Sequence, residues 1–186
     1  RENWPRYFTA PNNFKGITKW LEQVNTSDQV SESLRRAFSR LRNGRPGPVL
    51  VEFPTDLAAE ETSDTLAMYQ CATASRSGAD PSDIERAADA LINAECPVIH
   101  AGQGVLYAEA SSELQQLAEL LDAPVVTTLL GKSAFPETHP LSVGTAGGAN
   151  GTSTRAASHY LRESDVLLGA GCSFTRHAMS ATVPDG

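Results

Sequence analysis

Pro97-Val98-Ile99-His100-Ala101-Gly102-Gln103-Gly104 is a short apolar run that ends in Gly-x-Gly. Adjacent β-branched residues and an abrupt glycine stop read as a buried strand feeding a tight turn. The flanks repeat one grammar. Before the run, Asp80-Pro81 suits an N-cap and a first helical position, and Ile84, Ala87, Ala88, Leu91 and Ile92 recur on one helical face. After it, residues 110–121 place Leu114, Leu117, Ala118 and Leu121 inward, and Val125-Val126-Thr127-Thr128 reads as the next strand. A Gly-rich loop is expected from 129 to 151. A helix over 152–162 follows, with Ala156, Ala157, Tyr160 and Leu161 inward. A last strand from Asp165 to Ala170 ends in Gly169-Ala170-Gly171. Strands alternating with helices predict an α/β fold, a parallel sheet with helices on both faces and right-handed crossovers.

The same grammar occurs upstream. The first 13 residues read as irregular, and 14–24 are mixed, anchored by Ile17, Trp20 and Val24. Val30, Leu34, Ala37, Phe38 and Leu41 predict a helix over 28–42, with Asp28 as cap and Asn43-Gly44 as a left-handed stop. The turn Arg45-Pro46-Gly47-Pro48 leads into the strand Val49-Leu50-Val51-Glu52-Phe53. Residues 57–80 are rich in Ala, Ser, Thr, Glu and Asp and poor in large apolar residues, the composition of a linker. The expected organisation is therefore the end of one domain over 1–56, a linker over 57–80, and a second domain over 81–186.

Composition excludes several classes. The 186 residues are 40% hydrophobic and 20% charged with net charge −7, enough apolar material for a core and no basic stripe for nucleic acid. No apolar run spans a membrane, and Arg1-Glu2-Asn3-Trp4 opens no signal peptide. The missing initial Met suggests a piece of something longer. Cys71, Cys96 and Cys172 are far apart and read as reduced thiols of a cytoplasmic protein, with a reactive Cys172 as the alternative.

Ligands of open parallel sheets sit beyond the carboxyl ends of the strands. Three such ends carry small residues: Gly102-Gln103-Gly104, Thr128-Leu129-Leu130-Gly131 and Gly169-Ala170-Gly171. Glycines there let a nucleotide approach backbone N–H groups, and they equally serve tight turns. Both readings stand at this point. The dinucleotide fingerprint fails, because Tyr107 occupies the third glycine position and no acidic residue ends the next strand. His100 reads as a core histidine and His139 as a structural loop residue, while His159 and His177 lack partners at readable spacing. Asp56 suits a turn, and Glu60-Glu61 look solvated. No hydrolase, zinc-protease or P-loop motif occurs.

Gly44-Arg45-Pro46-Gly47-Pro48-Val49-Leu50-Val51-Glu52-Phe53-Pro54-Thr55-Asp56, preceded by Ile17-Thr18-Lys19-Trp20, resembles the close of the pyrimidine-binding domain of thiamine-diphosphate enzymes of the acetolactate synthase type. Pro97 to Val105, Ala123 to Lys132, Ala134-Phe135-Pro136, His139-Pro140-Leu141-Ser142 and Asp165 to Cys172 resemble that family's central domain. The resemblance implies a six-stranded parallel sheet without proton chemistry, which holds FAD in acetolactate synthases, ADP in oxalyl-CoA decarboxylase, and nothing in many relatives. It implies thiamine diphosphate, Mg2+ and a 2-oxo acid substrate in the parent enzyme, acting as a homodimer or homotetramer. The activating Glu is expected before Arg1, and no Gly-Asp-Gly occurs in the sequence, so no catalytic residue is assigned here. The implied FAD or ADP contacts are Arg45, Gly102, Gln103, Gly104, Thr128, Leu129, Leu130, Gly144 and Gly147.

Departures from the family pattern leave flavin and product open. Thr55 stands for the usual Lys, Gly147-Gly148-Ala149-Asn150-Gly151 for Gly-Met-His-Gly, and Ser173 for an Arg. Two other readings compete. One is a stand-alone nucleotide-binding module, sirtuin-like through Gly169-Ala170-Gly171-Cys172-Ser173. The other is a purely structural assembly domain.

Overall fold

The computed structural model describes residues 9–61, 69–73, 75, 77–146 and 153–174. The chain divides between Gly78 and Ala79 into two compact units, each with its own sheet.

The first unit begins with α1 (Ala10–Phe14), capped by the Thr9 hydroxyl, which accepts from the Asn12 amide. β1 (Trp20–Gln23) was not legible as a strand in the mixed 14–24 stretch. It pairs in parallel with β2 (Val49–Glu52), Trp20 opposite Val49 and Gln23 opposite Glu52. Between them a short 3-10 turn, Ser27–Gln29, leads into α2 (Val30–Arg42). Gly44 takes the left-handed stop at φ 66°. The helical phase differs from the expected one. α2 buries Ser33 and Ala37, while Leu34, Phe38 and Leu41 are 36–40% exposed. The reason is a polar tie: the Glu22 carboxylate on β1 accepts from Ser33 Oγ at 3.2 Å and pairs with Arg36. That turns a small-residue face inward. Part of the 57–80 segment also belongs with this unit. Leu57 is buried in the 3-10 turn Leu57–Ala59, Arg42 donates to the Ala72 carbonyl, and the Ser75 amide donates to Asn43.

The second unit opens with α3 (Pro81–Ile92), where Asp80 accepts from the Ser82 amide and Pro81 takes the first position, as the sequence predicts. β3 (Pro97–Ala101) is followed by α4 (Gln103–Tyr107), α5 (Ser111–Leu121), β4 (Val125–Thr128), β5 (Ser142–Ala146), α6 (Arg155–Glu163) and β6 (Val166–Ala170). All pairings are parallel in the order β5-β4-β3-β6. β3 alternates: Ile99 and Ala101 pack with Leu114 and Ala118 of α5, and Val98 packs with Ala157 and Leu161 of α6. The sheet is therefore covered by helices on both faces. Phe135, 1% exposed, fills the α5 side.

Two expectations are corrected here. β5 lies inside the stretch read as loop; Gly144 at φ 94° and a register shift opposite Val125/Val126 hide its alternation. On α3 only Leu91 is buried, with Ile84 and Ile92 56% and 71% exposed, because the helix meets little besides β6 among the described residues.

Candidate functional site

The strand order places a topological switch between β3 and β6: the chain runs outward from β3 through β4 to β5, then returns to the other side of β3. A crevice at such a point, beyond the carboxyl ends, is where open α/β sheets take ligands. Its floor is Gly102 to Gly104 after β3 and Gly171 to Phe174 after β6.

These glycines are filled by the chain itself. A Cβ on Gly102 would sit 2.4 Å from the Gly171 carbonyl oxygen, and one on Gly104 2.7 Å from the Gly171 Cα. Gly171, at φ 62°, closes on the Val105 amide in return. The amides are also engaged. Gly102 N–H donates to Ala170 O at 2.8 Å and Gly104 N–H to Gly171 O at 2.9 Å. The Gly131 amide donates to the Thr128 carbonyl and to Thr128 Oγ1 at 2.9 Å. Gly144 packs on the Thr154 side chain. A diphosphate cradle needs unspent N–H donors, so the residues present do not fit one through Gly102, Gly104 and Gly131.

The remaining predicted site residues are distributed as follows. Gln103 is half-buried at the start of α4, and Leu129 and Leu130 stand 41% and 68% exposed after β4. Arg45 is exposed in the first unit, where its carbonyl accepts from Lys19 Nζ at 2.9 Å. Gly147 lies outside the described residues.

His100 and Phe174 form a feature of the crevice. His100 is 4% exposed on β3 beside Gly169 of β6, and among the described residues neither ring nitrogen has a hydrogen-bond partner. Burial holds its pKa below the ordinary imidazole value, so the ring is neutral. Phe174 covers it edge-on at 6.0 Å and lies over Gly169, whose missing side chain makes the room. Sequence reasoning placed His100 in the core but missed Phe174; the only signal was a glycine inside an otherwise branched strand. Burial also pushes the Cys172 thiol up, against the reactive-thiolate alternative, and all three cysteines are unbonded. His139 ties the loop to α5 by Glu119 at 3.1 Å, as a structural residue would. A separate cavity of about 300 Å3, lined by Pro97, Pro124 and Val143, opens at the amino ends of the strands, the wrong end for this crevice.

Among the described residues no group of His, Cys, Asp and Glu is placed to hold a metal ion, and no helix is long and apolar enough to cross a membrane. The arrangement can position and pack. It holds no acid–base pair.

Fold and strand order define a doubly wound parallel α/β domain. The sequence profile described as "Thiamine pyrophosphate enzyme, central domain" matches residues 84–185, and the chain belongs to that family. Its relatives include a probable acetolactate synthase large subunit of Methanocaldococcus jannaschii, 39% identical over 87% of this chain. They also include a glyoxylate carboligase of Escherichia coli O157:H7, 39% identical over 89% of this chain. An acetolactate synthase of Mycobacterium bovis is 34% identical over 85% of it. The chain spans only 28%, 28% and 25% of these relatives' lengths. The stand-alone nucleotide-module reading, sirtuin-like included, is overturned by the family match and by relatives that cover both units. Structurally, Gly169-Ala170-Gly171 closes β6, far from the start of the unit; it does not open the domain.

Proposed function

We propose that the chain is the non-catalytic middle portion of an enzyme that decarboxylates a 2-oxo acid with thiamine diphosphate and Mg2+. The parent enzyme transfers or releases the resulting acyl or aldehyde unit, as acetolactate synthase or glyoxylate carboligase would, and works as at least a dimer. The observation that carries this reading is the extent of the likeness. A match over 87–89% of the chain crosses the boundary at Gly78 and takes in both units in order. The described residues supply the scaffold, and the reacting groups come from elsewhere in the protein. In a ligand-bearing member, Gln103, Leu129 and Leu130, with Gly102, Gly104, Thr128 and Gly144, are the candidate contacts of the second unit for FAD or ADP. The spent amides of Gly102 and Gly104 support the flavin-free kind here.

A segment exchange tests the reading. The matched segment of the Methanocaldococcus jannaschii relative is replaced by this chain, and pyruvate decarboxylation and carboligation are assayed with thiamine diphosphate and Mg2+. The chimera is expected to keep measurable turnover, and the isolated 186-residue chain to give none with pyruvate or glyoxylate. A chimera that assembles like its parent and is inactive, or a chain active by itself, overturns the proposal.

A further inference from the structure

α2 concentrates cations in a chain that is acidic as a whole. Through residue 78 the sequence has ten Lys and Arg against nine Asp and Glu, and from residue 79 onward five against thirteen. Four of those ten cations gather at one place. An open cleft of about 570 Å3 is lined by Lys19, Trp20, Arg35, Arg36, Ser39 and Arg40 among others, and among the described residues no carboxylate lines it.

Two carboxylates pair with these cations. Glu32 accepts from Arg35 Nε at 2.9 Å and Nη2 at 2.6 Å, and from Arg36 Nη1 at 3.3 Å. Glu22 accepts from Arg36 Nε at 3.2 Å. The hydrogen bond from Arg35, ahead of other causes, holds the Glu32 carboxyl below its ordinary value. These pairs engage the Arg36 guanidinium through all three of its nitrogens and that of Arg35 through two, and Arg35 keeps its Nη1 group outside the pair. Lys19 is spent differently: its Nζ donates to the carbonyls of Asn43 at 2.5 Å and Arg45 at 2.9 Å. It thereby neutralises the negative end of α2, which would otherwise oppose an anion. Arg40 has no carboxylate partner among the described residues. Held guanidiniums are forks for phosphate oxygens, and pre-organisation reduces the entropy lost on binding.

We propose that this cleft binds a phosphate-bearing small molecule, its phosphates on Arg35 and Arg40, with Trp20 as an apolar wall beside them. The volume suits a diphosphate or a nucleotide more than a single carboxylate. The inference does not depend on the central-domain reading, because every residue in it precedes Gly78.

Calorimetry on the 186-residue chain with pyrophosphate, ADP, adenosine and pyruvate provides the test. Pyrophosphate and ADP are expected to bind, with affinity falling as salt rises, and adenosine and pyruvate to bind at least about tenfold more weakly. Tighter binding of ADP than of pyrophosphate identifies a nucleotide as the occupant, and equal binding a free diphosphate. Arg40→Gln is expected to weaken pyrophosphate about ten- to a hundredfold with an unchanged circular-dichroism spectrum, and Arg40→Lys to weaken it less. Arg35→Gln serves as the second variant. No binding of pyrophosphate or ADP at millimolar concentration overturns the proposal. So does adenosine or pyruvate binding as tightly as pyrophosphate, or an affinity indifferent to both arginine variants.

Discussion

The sheet around β3 is covered on both faces, while the sheet of β1 and β2 is covered mainly by the small-residue face of α2. Nine buried residues from Ile99 to Phe135 close one layer of the second unit, and Val98, Val126, Ala146, Ala157 and Leu161 close the other. In the first unit Phe14, Ile17, Leu34, Phe38, Leu41 and Phe53 are all more than a third exposed. A two-stranded sheet with α2 and the short α1 leaves such residues only partly covered among the described residues, and isolated pairs of strands are marginal in water. Among the described residues the first unit adds polar ties at Glu22, Lys19 and Asn43 to a small core of Val24, Ala37 and Leu57, and the second rests on packed volume. The same alternation of strand and helix thus produces two kinds of stability within one chain.

The largest expected effect contrasts a phenylalanine from each unit. Phe135→Ala leaves a cavity between β3, β4 and α5 and is expected to cost about 3–5 kcal/mol. Phe38→Ala removes a ring 40% exposed, with the Arg42 guanidinium 5.4 Å from its centre, and is expected to cost under about 1 kcal/mol. Urea unfolding followed by probes in each unit measures both, and equal costs would break the contrast.

Next comes the crevice floor. Gly102→Ala drives a methyl into the Gly171 carbonyl and is expected to cost about 1–3 kcal/mol, with the loss confined to the second unit. If the crevice were an open cradle, the same variant would leave stability unchanged and only obstruct a ligand. Thermal melting separates these outcomes.

The smallest effect is electrostatic. Burial lowers the His100 pKa in the folded state, so on acidification the unfolded chain takes up this proton first. Stability of the second unit is therefore full above the ordinary imidazole value of 6.5 and falls as pH drops below it, toward the lowered folded value. Asp165, held down chiefly by the Glu95 and Cys96 amides, loses its contribution in a separate window below the ordinary value of 3.8. Melting curves of His100→Leu within the first window, just below pH 6.5, are expected to be flatter with pH than those of the parent, because leucine carries no titrating group. An unchanged slope would assign the pH dependence to other groups.

Local spacing carries much of this molecule. The cap Asp80-Pro81, the strands at Pro97 and Val125, the helix ending at Leu121 and the α/β class follow from periodicity and caps, because those signals reside within a few residues of one another. The motif order from Gly44 to Cys172 brought the family into view without any coordinates. Other features depend on distant partners. β5 exists because β4 offers it an edge, and α2 turns Ser33 inward because Glu22 stands eleven residues upstream. The glycines at 102 and 104 read equally well as a phosphate cradle or as a turn. The Ala170 and Gly171 carbonyls, brought alongside by the β3–β6 pairing, decide that both amides are engaged. Glycine spacing records that a close approach occurs; only the tertiary contact supplies what approaches.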